Sequence, residues 1–243
     1  MRKRMMIALA LASILNGPVH SQAILQDGRV ESISETEIRL TGIITPNVVT
    51  QFKRLITDKT STVSLSSEGG VTEAALEIAE EIQRNRLEIQ VLDICISSCA
   101  NYLFVAGAKR TVFPKAVVGW HGGHSFKPFR PNVDSPNRLV EKEALLLREQ
   151  LLYARSRVSL ELIIYSGLLT LGKNVDGVMQ REYTIWSPSA QELERLGIIG
   201  LTMDKGRRDS KEISEFLTSL GFGGQSIYTG DLYTYLPKFL ENY

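Results

Sequence analysis

Twice in succession the chain passes from an apolar strand through a turn of small residues into an apolar helix, and this order constrains the fold more than any other feature. Thr62 to Leu65 reads as a strand and Ser66-Ser67-Glu68-Gly69-Gly70 as a turn. Val71, Ala74, Ala75, Ile78, Ala79 and Ile82 then recur on one helix face. Ile89 to Ile94 reads as the next strand and Cys95-Ile96-Ser97-Ser98-Cys99 as the next turn. Tyr102, Leu103 and Ala106 mark a short helix stopped by Gly107. Strands joined through helices run parallel, because the crossover returns the chain to the same end of the sheet. The expected class is α/β, with a mainly parallel sheet flanked by helices.

The remaining segments fit that frame. Glu37 to Ile44 alternates like a strand, and Pro46 opens a helical pattern through Val48, Val49, Phe52, Leu55 and Ile56. Val112 to Trp120 reads as one or two β segments around Pro114, and Ser125 to Asn137, with three prolines, as a surface loop. Arg138 to Ile164 reads as one long helix closed by Gly167, followed by a helix from Ser189 to Leu196 and a last strand from Ile198 to Met203.

Met1-Arg2-Lys3-Arg4, the apolar run Met5 to Leu15 and the small-residue exit Ser21-Gln22-Ala23 have the form of a secretory signal cleaved after Ala23. The expectation is an exported protein, periplasmic or secreted. Residues 24–206 then form one domain and residues 207–243 a helical, tyrosine-rich extension. A net charge of +1 with 23% charged residues provides no basic stripe for nucleic acid. The two cysteines, Cys95 and Cys99, suit a disulfide in an oxidising compartment, or equally a pair of small buried side chains.

The turns carry the chemistry. A serine hydroxyl needs a base to take its proton and donors to hold the oxyanion it creates. Ser98 lies between a strand and a helix, where free N–H groups favour developing negative charge, although Ser97 and Ser98 also suit simple helix capping. Gly69 and Gly70 lack a Cβ, so their N–H groups can approach a substrate carbonyl closely; paired glycines also make ordinary tight turns. His121 follows a β segment, and beyond the leader the only other histidine is His124, so His121 is the candidate base, with a buried structural histidine as the other reading. His-x-x-His has no third ligand at metal spacing, so no metal or organic cofactor is expected. Glu182 and Asp176 are the downstream carboxylates available to orient an imidazole; each also reads as a solvated surface charge.

From Arg39 to Met203 the chain resembles the proteolytic subunit of Clp protease, within the crotonase-like fold. Ser67-Glu68-Gly69-Gly70-Val71 stands where that family has Ser-Pro-Gly-Gly-Val, with Glu68 in place of proline. The family's nucleophile precedes a helix ending Ala-Gly. Counting back from Ala106-Gly107 places it on Ser98, whereas counting from Gly69 requires a one-residue adjustment and leaves Ser97 as the second candidate. The resemblance implies repeated β-β-α units, an oxyanion hole from the Gly69, Gly70 and Cys99 amides, and a Ser98–His121 pair whose imidazole is oriented by Glu182 or Asp176, by a main-chain carbonyl, or by nothing further in a Ser-His dyad. It implies a serine peptidase acting on peptides or unfolded segments, with homo-oligomerisation plausible. The family's aspartate is missing from Arg181-Glu182-Tyr183-Thr184-Ile185-Trp186, and the leader argues against an ATPase partner. Two other readings stay open: a catalytically silent peptide-binding protein of the same fold, and a crotonase-type enzyme acting on acyl thioesters.

Overall fold

Strands β3 (Thr62–Ser67) and β4 (Glu88–Ile96) lie at the centre of the sheet: β4 carries apolar side chains to both faces, and β3 buries Val63 and Leu65 on one face and the small Ser64 on the other, as a covered parallel sheet requires. The computed structural model describes residues 28–126, 136–171, 173–175, 178–180, 182–203 and 209–231. In it, β1 (Arg29–Ser32) pairs antiparallel with β2 (Glu37–Thr41), and β2, β3, β4, β5 (Arg110–Val112) and β10 (Leu201–Thr202) follow in parallel. β6 (Val117–Gly119) also pairs with β4, beyond the point where β5 leaves it. Pro114 therefore divides the predicted Val112–Trp120 segment into two strands, both served by β4. The architecture is α/β, a mixed and mostly parallel sheet flanked by helices.

Helices α1 (Pro46–Leu55) and α2 (Thr72–Arg84) follow β2 and β3 and bury Phe52, Ala75, Ile78 and Ile82 against the sheet. The segment after β4 is wound as a π-helix over Cys99–Phe104, and all six of its residues are buried. Its carboxyl end is held by Arg110, which is 3% exposed and donates to the Phe104 and Val105 carbonyls and, at 2.9 Å, to Ile199 O. Burial lowers the Arg110 guanidinium to about 10, so it remains cationic at neutral pH. Arg110→Met would leave three carbonyls without this donor. The expected loss is about 3 kcal/mol, read as a lower denaturant midpoint at unchanged slope.

The single long helix expected from Arg138 to Ile164 is two, α3 (Pro136–Ser156) and α4 (Glu161–Leu169). The break is a left-handed cap at Arg157 (φ 57°), with Arg157 N–H on Ala154 O and Val158 N–H on Tyr153 O. Such caps favour glycine, so an arginine there gave no warning in the sequence. Gly167, expected to close the helix, lies buried inside α4. Between α4 and α5 (Ala190–Arg195) the chain adds β7 (Lys173–Val175), β8 (Val178–Gln180) and β9 (Ile185–Trp186), and the last expected strand shrinks to β10. Most of the Ser125–Asn137 loop lies outside the described residues, as do the signal segment and Asp176.

The described part of the C-terminal extension, residues 209–231, packs onto the sheet. α6 (Ser210–Ser219) contributes Ile213 and Leu217, and β11 (Ile227–Tyr228) contributes Ile227, to a second core cluster with Ile94, Ile96, Val117 and Ile185. β11 pairs in parallel with β9, and Ile213, Leu217 and Ile227 share their cluster with Ile94 and Ile96 at the end of β4. Among the described residues no helix is long and apolar enough to cross a membrane.

Candidate active site

The end of β4 makes a sharp elbow. Ser97 N–H donates to Gly119 O at 3.0 Å, continuing the β4–β6 ladder, and Ser97 O accepts from Asn101 N–H at 2.8 Å, which begins the helix. Between these two bonds Ser97 adopts φ 59°, a left-handed conformation that costs a non-glycine residue about 1 kcal/mol or more. Cys95 and Cys99 are joined in a disulfide across the elbow, with Cα atoms 5.2 Å apart and both residues fully buried.

The elbow separates the two serines. Ser97 is half-buried, and its Oγ lies 2.7 Å from His121 Nε2. Ser98 is 5% exposed, and its Oγ donates to Gly70 O at 2.9 Å. The hydroxyl placed against the base is therefore that of Ser97. Over Cys99–Phe104 the helix is wound with bonds from i to i+5, which take up an extra residue per turn, so residue counting along it does not fix which serine meets the imidazole.

Gly69 and Gly70 abut this elbow. Gly69 (φ 96°) donates its N–H to Ser67 Oγ at 3.1 Å, and Ser67 donates in turn to Gly42 O at 2.6 Å. That commits the Gly69 amide to the turn. Gly70 bridges to Ile44 through its neighbours, Ile44 N–H to Gly69 O and Val71 N–H to Ile44 O, both at 2.8 Å. In an extended ladder the N–H and C=O of the intervening residue point to the opposite side. For Gly70 that is the side on which its carbonyl meets Ser98, so its N–H also faces the elbow, and the residue is exposed. Ser98 and Cys99 precede the first helical hydrogen bond, which runs from Asn101, leaving their N–H groups at the amino end of the helix. With Ser97 against the base, the amide following it is that of Ser98. Gly70 and Ser98 are thus the candidate donors at the elbow, whereas the Gly69 N–H is taken by Ser67 Oγ. Burial raises the pKa of the Glu68 carboxyl, in the same turn, against a smaller lowering by its own backbone N–H.

His121 is exposed, but the main chain around it is fixed. Trp120 and Trp186 exchange backbone hydrogen bonds at 2.8 and 2.7 Å, and Trp120 packs edge-on against Phe104. Thr170 Oγ1 donates to His121 O at 3.1 Å, Asn101 Nδ2 to Gly122 O at 2.8 Å, and Gly122 N–H to Ser166 Oγ at 3.0 Å. His124 turns away, its Nε2 3.0 Å from Lys142 O on α3. Of the two candidate acids, Glu182 is exposed on the segment entering β9, and Asp176 lies outside the described residues. Among the described residues no three His, Cys, Asp or Glu side chains gather as a metal site.

Sequence reasoning passed over Glu149, Asn101, Ser166 and Thr170, which hold the base loop. For Glu149 a signal exists, since it occupies the apolar stripe of α3 between Leu145 and Leu152. No protein-family model matches the chain, and a search of curated proteins returns no match.

Proposed function

We propose that the protein is a serine hydrolase in which Ser97 is the nucleophile and His121 the general base, and that its substrates are peptides or unfolded segments of proteins. The observation that carries this reading is the 2.7 Å contact between Ser97 Oγ and His121 Nε2 at a strand-to-helix elbow. Nε2 accepts the Ser97 proton as Oγ attacks the substrate carbonyl carbon. The oxyanion is held by the Gly70 and Ser98 N–H groups, and His121 returns the proton to the departing amine. Water, activated by the same imidazole, then releases the acyl group and regenerates Ser97.

The peptide preference follows from the Clp-protease-like order of glycine turn, nucleophile and base, and a Clp-protease-like assignment within the α/β class is part of the proposal. So is export, supported by the basic and apolar leader and by the Cys95–Cys99 disulfide. An exported enzyme works without ATP, on chains that are already unfolded.

The test is turnover of a fluorogenic peptide library by the mature protein and by its Ser97→Ala variant. Cleavage that disappears in the variant supports the hydrolase. Peptide binding that is equal in both proteins, with cleavage in neither, would replace it with a silent peptide-binding protein.

A further inference from the structure

Glu149 is fully buried on α3, and its carboxylate is filled by four donors. Oε2 accepts from the Tyr102 hydroxyl at 2.7 Å and from His124 N–H at 2.8 Å. Oε1 accepts from Ser125 N–H at 2.6 Å and from the Ser125 hydroxyl. A buried carboxylate persists only where such donors replace its water, and charge-assisted bonds to main-chain N–H groups hold geometry tightly. Burial, then the Glu149 charge, raise the Tyr102 pKa far above the usual phenol range, so that hydroxyl stays a donor. Gly123 lies so close that a Cβ there would stand 2.7 Å from Oε2.

The donors come from the two segments that must stay in register. His124 and Ser125 continue the loop that carries His121, and Tyr102 belongs to the π-helix that leaves Ser97. We propose that Glu149 is a positioning residue that keeps His121 within reach of Ser97 by clamping the main chain of the base loop to the nucleophile helix. Its kinetic consequence rests on the hydrolase reading; the placement of the ring does not.

Each oxygen holds one hydroxyl and one backbone N–H. A hydroxyl can reverse to accept from an amide, but an N–H cannot. In Glu149→Gln the side-chain amide therefore meets a backbone N–H whichever way it is turned, and one main-chain bond is lost. Tyr102→Phe removes only the tie to the helix and leaves the loop bonds in place.

The experiment compares the mature parent, Glu149→Gln and Tyr102→Phe by thermal unfolding, by NMR of the His121 ring assigned with His121→Ala, and by the rate of phosphonylation with a fluorophosphonate. In folded Glu149→Gln the His121 ring is expected to pass from one set of signals to several, with phosphonylation slowed ~100-fold. Tyr102→Phe is expected to show the same change to a smaller degree. A single parental set of ring signals and a parental rate in Glu149→Gln would overturn the proposal. If Glu149→Gln does not fold, the Tyr102→Phe ring spectrum decides in the same way. If the parent itself is not phosphonylated, the hydrolase reading fails, and the ring spectra alone still support or overturn the clamp.

Discussion

Ser97→Ala is expected to abolish peptide hydrolysis, lowering kcat/KM on the order of 10⁴-fold or more, because it removes the hydroxyl that lies 2.7 Å from His121 Nε2. Ser98→Ala is expected to leave the reaction running. Its Oγ is already engaged with Gly70 O, so the variant loses one hydrogen bond, about 1 kcal/mol of stability, together with some of the order of the Gly70 amide. A rate loss of about tenfold fits the loosening of a single oxyanion donor that is not removed. Steady-state kinetics on one peptide separates the two variants, since a reversed order of effects would move the nucleophile to Ser98.

Gly69→Ala should do damage by a different route, smaller in rate but larger in stability. A Cβ at Gly69 would lie 2.7 Å from Ile96 O, 2.8 Å from Ser98 N and 2.9 Å from Ser97 Cβ, all parts of the elbow and none of them a flexible side-chain end. The residue also sits at φ 96°, where an L side chain is strained whatever the space. Strain and overlap together should cost about 3 kcal/mol. The displaced Ser97 should react ~100-fold more slowly even where the variant is folded. Gly224→Ala is the control. Gly224 has φ 80° but nothing within 4 Å of its would-be Cβ, so this variant isolates backbone strain, about 1 kcal/mol, and should keep full activity. Denaturant melts and peptide kinetics on both variants test the comparison.

The parts of this fold legible in the sequence were those coded by short-range pattern. The strand, turn and helix units around Gly69 and Ser97 follow from apolar periodicity interrupted by small residues, and His121 from the scarcity of histidine. Choosing between Ser97 and Ser98 required helix winding. A one-residue difference at an elbow turns a hydroxyl from the base to a backbone carbonyl, and apolar spacing does not reveal a π-turn. The Arg157 cap was hidden because the left-handed position carries no glycine. The four-donor environment of Glu149 and the packing of Ile213 and Leu217 against β4 join residues far apart in the chain. No local pattern encodes such contacts; only a glutamate on an apolar stripe hinted at the first.

The most direct test of the account is to treat the folded mature protein with a fluorophosphonate and map the adduct by peptide mass spectrometry. The expected result is one adduct, on Ser97, lost in His121→Ala. An adduct on Ser98, or an unmodified protein under conditions in which a known serine hydrolase reacts, would contradict it.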